Sequence, residues 1–130
     1  MDFATLWQHT HTIAVVGLSA DPSRASHRVA AFLQARGFRV LPVNPRHEQV
    51  LGEPCYPSLL DLPEPVDMVD VFRRSEHCPE VAHQAVAIGA RCLWLQLGIV
   101  SVEARRIAEA AGLAYVEDRC TLIELRRLKG

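Results

Sequence analysis

A cluster of hydroxyl and guanidinium side chains follows a glycine near the start of the chain, in the segment GLSADPSRASHR. The apolar run before it ends at Gly17, and the polar side chains after it belong to Ser19, Ser23, Arg24, Ser26 and Arg28. Hydroxyls, guanidinium groups and the free amides at the start of a helix are groups that bind phosphate. The segment therefore predicts an anion site, although Ser26 taken alone is equally well explained as a helix N-cap.

A second pair of basic residues, Arg73 and Arg74, follows Phe72 directly at the end of the apolar run VDMVDVF. Guanidinium groups at such a position suit the planar oxygens of a phosphate. We interpret the pair as a second anion contact, and a solvated surface pair is the alternative.

The turn after Gly17 differs from the standard nucleotide-binding fingerprints. A dinucleotide site has the pattern G-x-G-x-x-G and an acidic residue about twenty positions later that binds the ribose hydroxyls. Here the turn contains one glycine, and the next apolar run ends in PVNP. A Walker loop is also absent, because no G-K-[ST] occurs. The pattern disfavours the usual modes of nicotinamide, flavin and ATP binding.

The other reactive residue types form no recognisable metal or catalytic motif. The four cysteines include no C-x-x-C pair, and we expect them to be free thiols. The candidate metal ligands lack a third partner at a recognisable spacing, so no metal site is predicted; they are His9, His11, His77 and Cys78. For acid–base chemistry the nearest candidates are His27 and Glu76, which we interpret as surface groups on helices.

Apolar runs bounded by turn residues alternate along the chain with segments of helical spacing. The predicted strands are Thr12 to Gly17, Phe38 to Pro45, Val66 to Phe72, Arg91 to Gly98, and Leu113 to Asp118. The predicted helices are Ser26 to Arg36, Glu76 to Ile88, Ser101 to Ala111, and a last one with the stripe Leu122, Leu125 and Leu128. Between the second and third strands, the Pro-rich segment leaves room for one short helix at most.

The alternation predicts an α/β fold with a Rossmann-like, five-stranded parallel sheet and helices on both faces. Ligands of such sheets bind beyond the carboxyl ends of the strands, near the point where strand order reverses. The candidate surfaces are therefore the turns after Gly17, after Phe72 and after Gln96, together with the tail PVNP. Because Pro42 and Pro45 lack amide donors, we expect that tail to leave the sheet.

Length and composition narrow the class of protein. A chain of 130 residues fits one domain spanning 1–130, and 49% apolar with 22% charged residues is typical of a globular protein. The formal net charge of −1 gives no electrostatic footprint for nucleic acid, so any anion site must be local. With no signal-like segment and no long apolar run, we expect a cytoplasmic protein that does not bind membranes.

Four segments together resemble the small stand-alone CoA-binding proteins, whose fold is that of the CoA-binding domain of the succinyl-CoA synthetase alpha subunit. The resemblance extends over nearly the whole chain, in the segments IAVVGLSADPSRASHRVAAFLQARGFRVLPVNP, VDMVDVFRRSE, GARCLWLQLGI and EDRCTLIEL. In that family, coenzyme A is held by its phosphates at the first turn and by its adenine beside the tail of the second strand.

The resemblance implies a nucleotide-binding role for particular residues of this chain. The phosphates would meet Gly17, Leu18, Ser19, Arg24 and Ser26, and the adenosine would lie beside Val43, Asn44 and Pro45. The next wall would contain Phe72, Arg73 and Arg74, and the mouth toward the pantetheine arm would contain Gln96 and Gly98. Since the ribose of coenzyme A has phosphate at its 3′ position, the absence of a carboxylate after the second strand agrees with this ligand.

The family's C-terminal motif often continues with a basic or proline-containing element, whereas here TLIEL follows Asp118, Arg119 and Cys120. The Cys120 thiol is a candidate for a mixed disulfide with CoA, and an inert buried thiol is the alternative. The synthetase relatives use further domains for which 130 residues leave no room. We therefore expect a non-catalytic module that binds CoA or acyl-CoA; the alternative is a partner-dependent acyl-CoA processing or ligase subunit.

Overall fold

The computed structural model describes residues 2–129, and parallel strands form its central sheet. The strands are β1 (Thr12–Val16), β2 (Arg39–Val43), β3 (Gln49–Val50), β4 (Glu53–Pro54), β5 (Met68–Val71), β6 (Cys92–Leu95) and β7 (Ala114–Val116). Five of them lie in the order β2-β1-β5-β6-β7, and every pair in this sheet is parallel. The predicted Rossmann-like α/β sheet is confirmed, and its strand order reverses between β1 and β5.

Five helices cover the two faces of the sheet: α1 (Phe3–Gln8), α2 (Ala25–Ala35), α3 (Cys78–Ala87), α4 (Val102–Ala110) and α5 (Thr121–Lys129). Alternate residues of each strand point to opposite faces, so two separate apolar cores form. One core packs Ala14, Val69 and Leu93 against α3 and α4. The other packs Ile13 and Trp94 against α1, α2 and α5.

Three elements of the structure were not predicted from the sequence. Helix α1 precedes the first strand, with the Asp2 carboxylate accepting a hydrogen bond from the Thr5 amide. Strands β3 and β4 form an antiparallel hairpin inside the Pro-rich segment, which also holds the 3-10 turn Leu59–Asp61. Helix α3 starts after a separate 3-10 turn, Ser75–His77, because Pro79 suits only the first turn of a helix.

The tail of the second strand leaves the sheet as expected, but Pro42 still belongs to the strand. Pro42 lies within β2, opposite Val15, and its carbonyl oxygen accepts a hydrogen bond from the Tyr56 amide at 3.0 Å. A proline is tolerated there because β2 is the edge strand of the sheet. The chain leaves the sheet after Val43, and the Asn44 amide donates to the Tyr56 carbonyl at 2.8 Å.

Backbone hydrogen bonds continue past the ends of the central strands. The Gly17 amide donates to Val43 at 2.8 Å, the Phe72 amide donates to Val16 at 2.9 Å, and the Gln96 amide donates to Val71 at 3.2 Å. The carboxyl edge of the sheet is therefore a rigid base for the turns that follow. Among the helices described between residues 2 and 129, none has the length and apolar character needed to cross a membrane.

Candidate functional site

Two adjoining clefts lie beyond the carboxyl ends of β1, β2 and β5. Cleft A has a volume of about 480 Å³ and is lined by Gly17, Ser19, Arg24, Ala25, Ser26, Phe72, Arg73, Arg74, Ser75, Gly98 and Ile99. Cleft B has a volume of about 630 Å³; besides five residues shared with cleft A, it is lined by Val16, Val43, Asn44, Pro45, Arg46, His47, Pro57, Ser58, His77, Glu80, Val81 and Gln84. Both volumes are typical of small-molecule sites.

Gly17 makes the close approach of the two central strand ends possible. Its φ of +84° is in the left-handed region, and a Cβ there would lie 2.5 Å from the carbonyl oxygen of Phe72. The Arg73 side chain also passes within 3.3 Å of that position. A glycine is therefore required for the first turn to lie against the second and for both to border one cleft.

The predicted anion ligands in the turn after Gly17 form two groups. Ser19, Arg24 and Ser26 line cleft A, whereas Ser23 and Arg28 line neither cleft. Ser26 is buried, and its hydroxyl accepts from the Ser19 amide at 3.0 Å, so it shapes the turn and is not the N-cap, which is Arg24. Ser23 and Arg28 bond within the turn instead of lining a cleft. The Ser23 hydroxyl donates to Asp21 at 2.8 Å, and the Arg28 guanidinium donates to the Ser23 carbonyl at 2.6 Å.

Asp21 is the acidic residue of this turn. The backbone amide of Ser23 donates to its carboxylate at 2.9 Å, in addition to the hydroxyl. These two hydrogen bonds, the amide first, hold the pKa of the Asp21 carboxyl below its usual range. Asp21 lines neither cleft, and among the residues that do line them the basic side chains outnumber the acidic ones.

Side chains after β2 form hydrogen bonds to the same turn from the other side. The Asn44 side-chain amide donates to the Leu18 carbonyl at 3.0 Å, and its oxygen accepts from the Arg46 amide at 3.0 Å. The Ala20 amide donates to His47 Nε2 at 3.4 Å, which requires the unprotonated form of that nitrogen. The tail of β2 and the first turn therefore form one connected wall.

Positive charge is concentrated around both clefts. Arg24, Arg46, Arg73 and Arg74 line them, and the acidic residue among the lining side chains is Glu80. Within residues 2–129, no carboxylate is paired with Arg24, Arg46 or Arg73. Because the whole chain has a formal charge of −1, this local excess of guanidinium groups indicates an anionic ligand.

The far wall of cleft A combines three loops. The Val100 amide donates to the Ser75 hydroxyl at 3.3 Å, which joins the turn after β5 to the loop after β6. The Gly98 amide donates to the Asp118 carboxylate at 2.7 Å, and Asp118 itself has a φ of +55°. Asp118, the first residue of the motif Asp118, Arg119, Cys120, thus supports this wall.

Two predicted site residues are buried and line neither cleft. Gln96 is 4% exposed, and its side-chain amide donates to Asp70 at 2.6 Å and to Thr121 at 3.0 Å. The expectation that Gln96 lines the mouth is therefore wrong for its side chain, because a buried carboxylate binds its amide. Leu18 is fully buried in the core, and its backbone is its contribution to the turn.

Most residues that the family resemblance implies line the clefts. All of them except Leu18 and Gln96 do so, among them Asn44, Arg73, Arg74 and Gly98. His27 and Glu76, the acid–base candidates, line neither cleft, and half-buried Cys120 packs against the core that contains Trp94. Within residues 2–129, no group of three histidine, cysteine or acidic side chains is placed to hold a metal ion.

Sequence reasoning missed one whole wall of cleft B, formed by Pro57 and Ser58 together with His77, Glu80 and Gln84. Three of these residues lie on or just before the first turns of α3, which starts at the carboxyl edge of the sheet. A helix that begins there presents its first turns to the ligand side, and that is the signal that could have found them. Nothing in the sequence indicates that Pro57 and Ser58 fold back to the same place.

Comparison with known proteins gives a consistent result. The sequence model described as CoA binding domain matches residues 11–126. The uncharacterized protein YneT of Bacillus subtilis (strain 168) is 40% identical over 113 residues, which are 87% of this chain and 84% of that protein. The solved structure of cell-free ID.343 from Thermus thermophilus has a TM-score of 0.94 at 40% identity and covers 98% of this chain and 99% of that chain.

A much longer relative is also similar. Acetate–CoA ligase (ADP-forming) II of Archaeoglobus fulgidus is 32% identical over 82 residues. Those residues are 62% of this chain but 12% of the ligase. The chain therefore spans a small part of that protein.

Proposed function

This chain belongs to the CoA-binding domain family, and on that premise we propose that it binds coenzyme A or an acyl-CoA in clefts A and B as a non-catalytic module. The observation that supports the proposal most is the convergence of Arg24, Arg73 and Ser19 on the turn at Gly17. Guanidinium groups and a hydroxyl at the switch point of a parallel sheet suit a ligand with several phosphates.

The chemistry of the lining residues suggests how the ligand lies. The diphosphate occupies the turn from Gly17 to Ser26, beside Arg24 and Arg73. The adenosine lies in cleft B beside Val43, Asn44 and Pro45, where Arg46 provides positive charge for its 3′-phosphate. The pantetheine arm follows cleft A toward Gly98 and Ile99, where the lining is less charged.

The cleft residues also support a binding role without chemistry. The histidines that line cleft B are His47, which accepts from the Ala20 amide, and His77, whose ring lies 4.0 Å from the Glu76 carboxylate. Among residues 2–129, neither imidazole ring is hydrogen-bonded to a serine, threonine or cysteine side chain. This arrangement differs from the hydrogen-bonded nucleophile and base that covalent catalysis requires.

A second candidate function is that of a subunit within an acyl-CoA ligase, and the similarity to an acetate–CoA ligase favours it. The matched residues are 12% of that ligase, so such activity would depend on a partner. An assay of ADP-forming acetyl-CoA synthesis with the isolated chain should then show no turnover, and turnover by the chain alone would contradict both candidate functions.

Replacing Arg24 with alanine tests the proposed function. We expect the affinity for CoA, measured by calorimetric titration, to fall about 10- to 100-fold, because a hydrogen bond to a charged group contributes about 1.5 to 3 kcal/mol. The matched control is Arg106→Ala, which makes the same charge change at an exposed position of α4 and should leave the affinity unchanged.

The same titration with dephospho-CoA, NAD and ADP tests the ligand class. CoA should bind more tightly than dephospho-CoA, and NAD should bind weakest, because the tail of β2 at Asn44 and Pro45 offers no carboxylate to its ribose diol. Equal affinity of the Arg24→Ala and Arg106→Ala variants, or tighter binding of NAD than of CoA, would refute the proposal.

A further inference from the structure

A buried polar network lies directly behind the clefts, on the face of the sheet that packs against α5. Asp70 on β5 is fully buried, and its carboxylate contacts the Gln96 side-chain amide at 2.6 Å and the Thr121 hydroxyl at 3.1 Å. The same Gln96 amide donates to the Thr121 hydroxyl at 3.0 Å. Gln96 and Thr121 are themselves 4% and 0% exposed, so the three side chains form a closed triangle.

Each member of this triangle is close in sequence to a residue that forms or supports the cleft wall. Phe72 and Gly98 line cleft A. Asp70 is two residues before Phe72, and Gln96 is two residues before Gly98. Thr121 is the first residue of α5 and follows Asp118, whose carboxylate holds the Gly98 amide. The triangle therefore ties β5, β6 and α5 together at the edge where the ligand would bind.

Within residues 2–129, no basic side chain forms an ion pair with Asp70. On β1 its partner in register is Val15, and on β6 it is Trp94. The titratable group near it is the Cys92 thiol, whose pKa is raised mainly by burial and further by the charge of Asp70. The carboxylate of Glu124 on α5 is paired with Arg119 and Arg127 instead. Helix α2 contributes apolar side chains to this core.

Burial is the main reason that the pKa of Asp70 rises to about 7, and the hydrogen bonds from Gln96 and Thr121 partly oppose the rise. In the neutral form, the carboxyl can donate its proton to the Thr121 hydroxyl while accepting from Gln96. In the ionised form, a buried charge is held by two neutral donors alone, which is unfavourable without a cation. Ionisation thus adds a buried negative charge, without a paired cation, behind an anion site.

We propose that Asp70 is a positioning residue of the clefts, and that loss of its proton weakens the binding of CoA, a ligand that it does not touch. The inference rests on the proposed function, since it assigns regulation by pH to the same site. Its physical basis is the link from Asp70 through Gln96 and Thr121 to the wall at Gly98.

Calorimetric titration with CoA near pH 5.5 and pH 8.5 tests the inference on the wild type and on Asp70→Asn. Asparagine keeps the acceptor for Gln96 and provides a permanent donor for Thr121, so it mimics the neutral acid. The two proteins should bind equally at the lower pH, and the wild type should bind about five-fold more weakly than the variant at the higher pH. The titration of CoA itself cancels in this comparison.

Asp67→Asn is the matched control, because the Asp67 carboxylate accepts from the amides of His11 and Thr12 at the opposite edge of the sheet. Its pH profile should equal that of the wild type. A ratio of wild-type to Asp70→Asn affinity that is the same at both pH values, or a control that changes like Asp70→Asn, would overturn the inference. Absence of CoA binding by the wild type at either pH would instead refute the proposed function, and the inference with it.

A measurement on the wild type alone covers the case in which the Asp70→Asn variant does not fold. The carboxyl carbon of Asp70 is followed by carbon-13 NMR across pH, with and without saturating CoA. Because linkage is reciprocal, a five-fold effect requires CoA to raise the midpoint of this titration by about 0.7 pH units. A midpoint that CoA leaves unchanged would overturn the inference.

Discussion

Replacing Gly17 with alanine should lower the free energy of unfolding by about 2 to 5 kcal/mol. Two effects add at this position. A side chain at φ +84° is strained, and the new Cβ would lie 2.5 Å from the Phe72 carbonyl oxygen, which is backbone and moves only with β5. Since relief of this clash separates the first turn from Arg73, CoA binding should be lost as well. Denaturant unfolding measures the first effect, and calorimetric titration measures the second.

Gly37→Ala is the matched control for this prediction. Gly37 has a similar φ of +95°, but a Cβ there would meet nothing within 4 Å. It should therefore cost about 1 to 2 kcal/mol from backbone strain alone and leave CoA binding intact. Equal losses of stability in the two variants would show that the approach of Gly17 to Phe72 is not what the turn requires.

Replacing Asp70 with asparagine should stabilise the protein above neutral pH and have little effect near pH 4. Burial raises the pKa of this carboxyl from its ordinary value of 3.8 to about 7 in the folded protein. The folded state therefore holds the proton more tightly than the unfolded state does. The stabilisation from the protonated form is complete below about pH 4 and is lost as the pH rises to about 7.

The size of this effect follows from the rise of the Asp70 pKa from 3.8 to about 7, which limits the loss of stability to about 4 kcal/mol. We expect the free energy of unfolding of Asp70→Asn to exceed that of the wild type by about 2 to 4 kcal/mol at pH 8. Chemical denaturation at several pH values measures the difference. A difference between the two proteins that stays constant from pH 4 to pH 8 would contradict the prediction.

Much of the fold follows from local patterns in the sequence. The runs at Ile13 and Leu93 are apolar without alternation, because central parallel strands are buried on both faces. The left-handed glycines Gly37 and Gly89 mark the ends of two helices. By contrast, the hairpin of β3 and β4 has two residues in each strand, which is too short to produce a pattern.

The candidate site was predictable where its residues directly follow the predicted strands. The turn at Gly17 and the pair Arg73 and Arg74 could be found because the carboxyl edge of a parallel sheet brings them together. The role of Gln96 could not be found in the same way. Its side chain is bound by Asp70, and a lone aspartate within an apolar strand gives no sign of which distant residues will satisfy it.

Amide chemical-shift mapping with nitrogen-15-labelled protein and CoA tests most directly whether the clefts hold this ligand. We expect the largest shifts in the turn from 17 to 26, in the segment from 43 to 47, and in the turn from 72 to 75. The amides of Thr12 and Arg39, at the opposite edge of the sheet, should not move. Shifts concentrated at that opposite edge, or no shifts at saturating CoA, would contradict the proposed site.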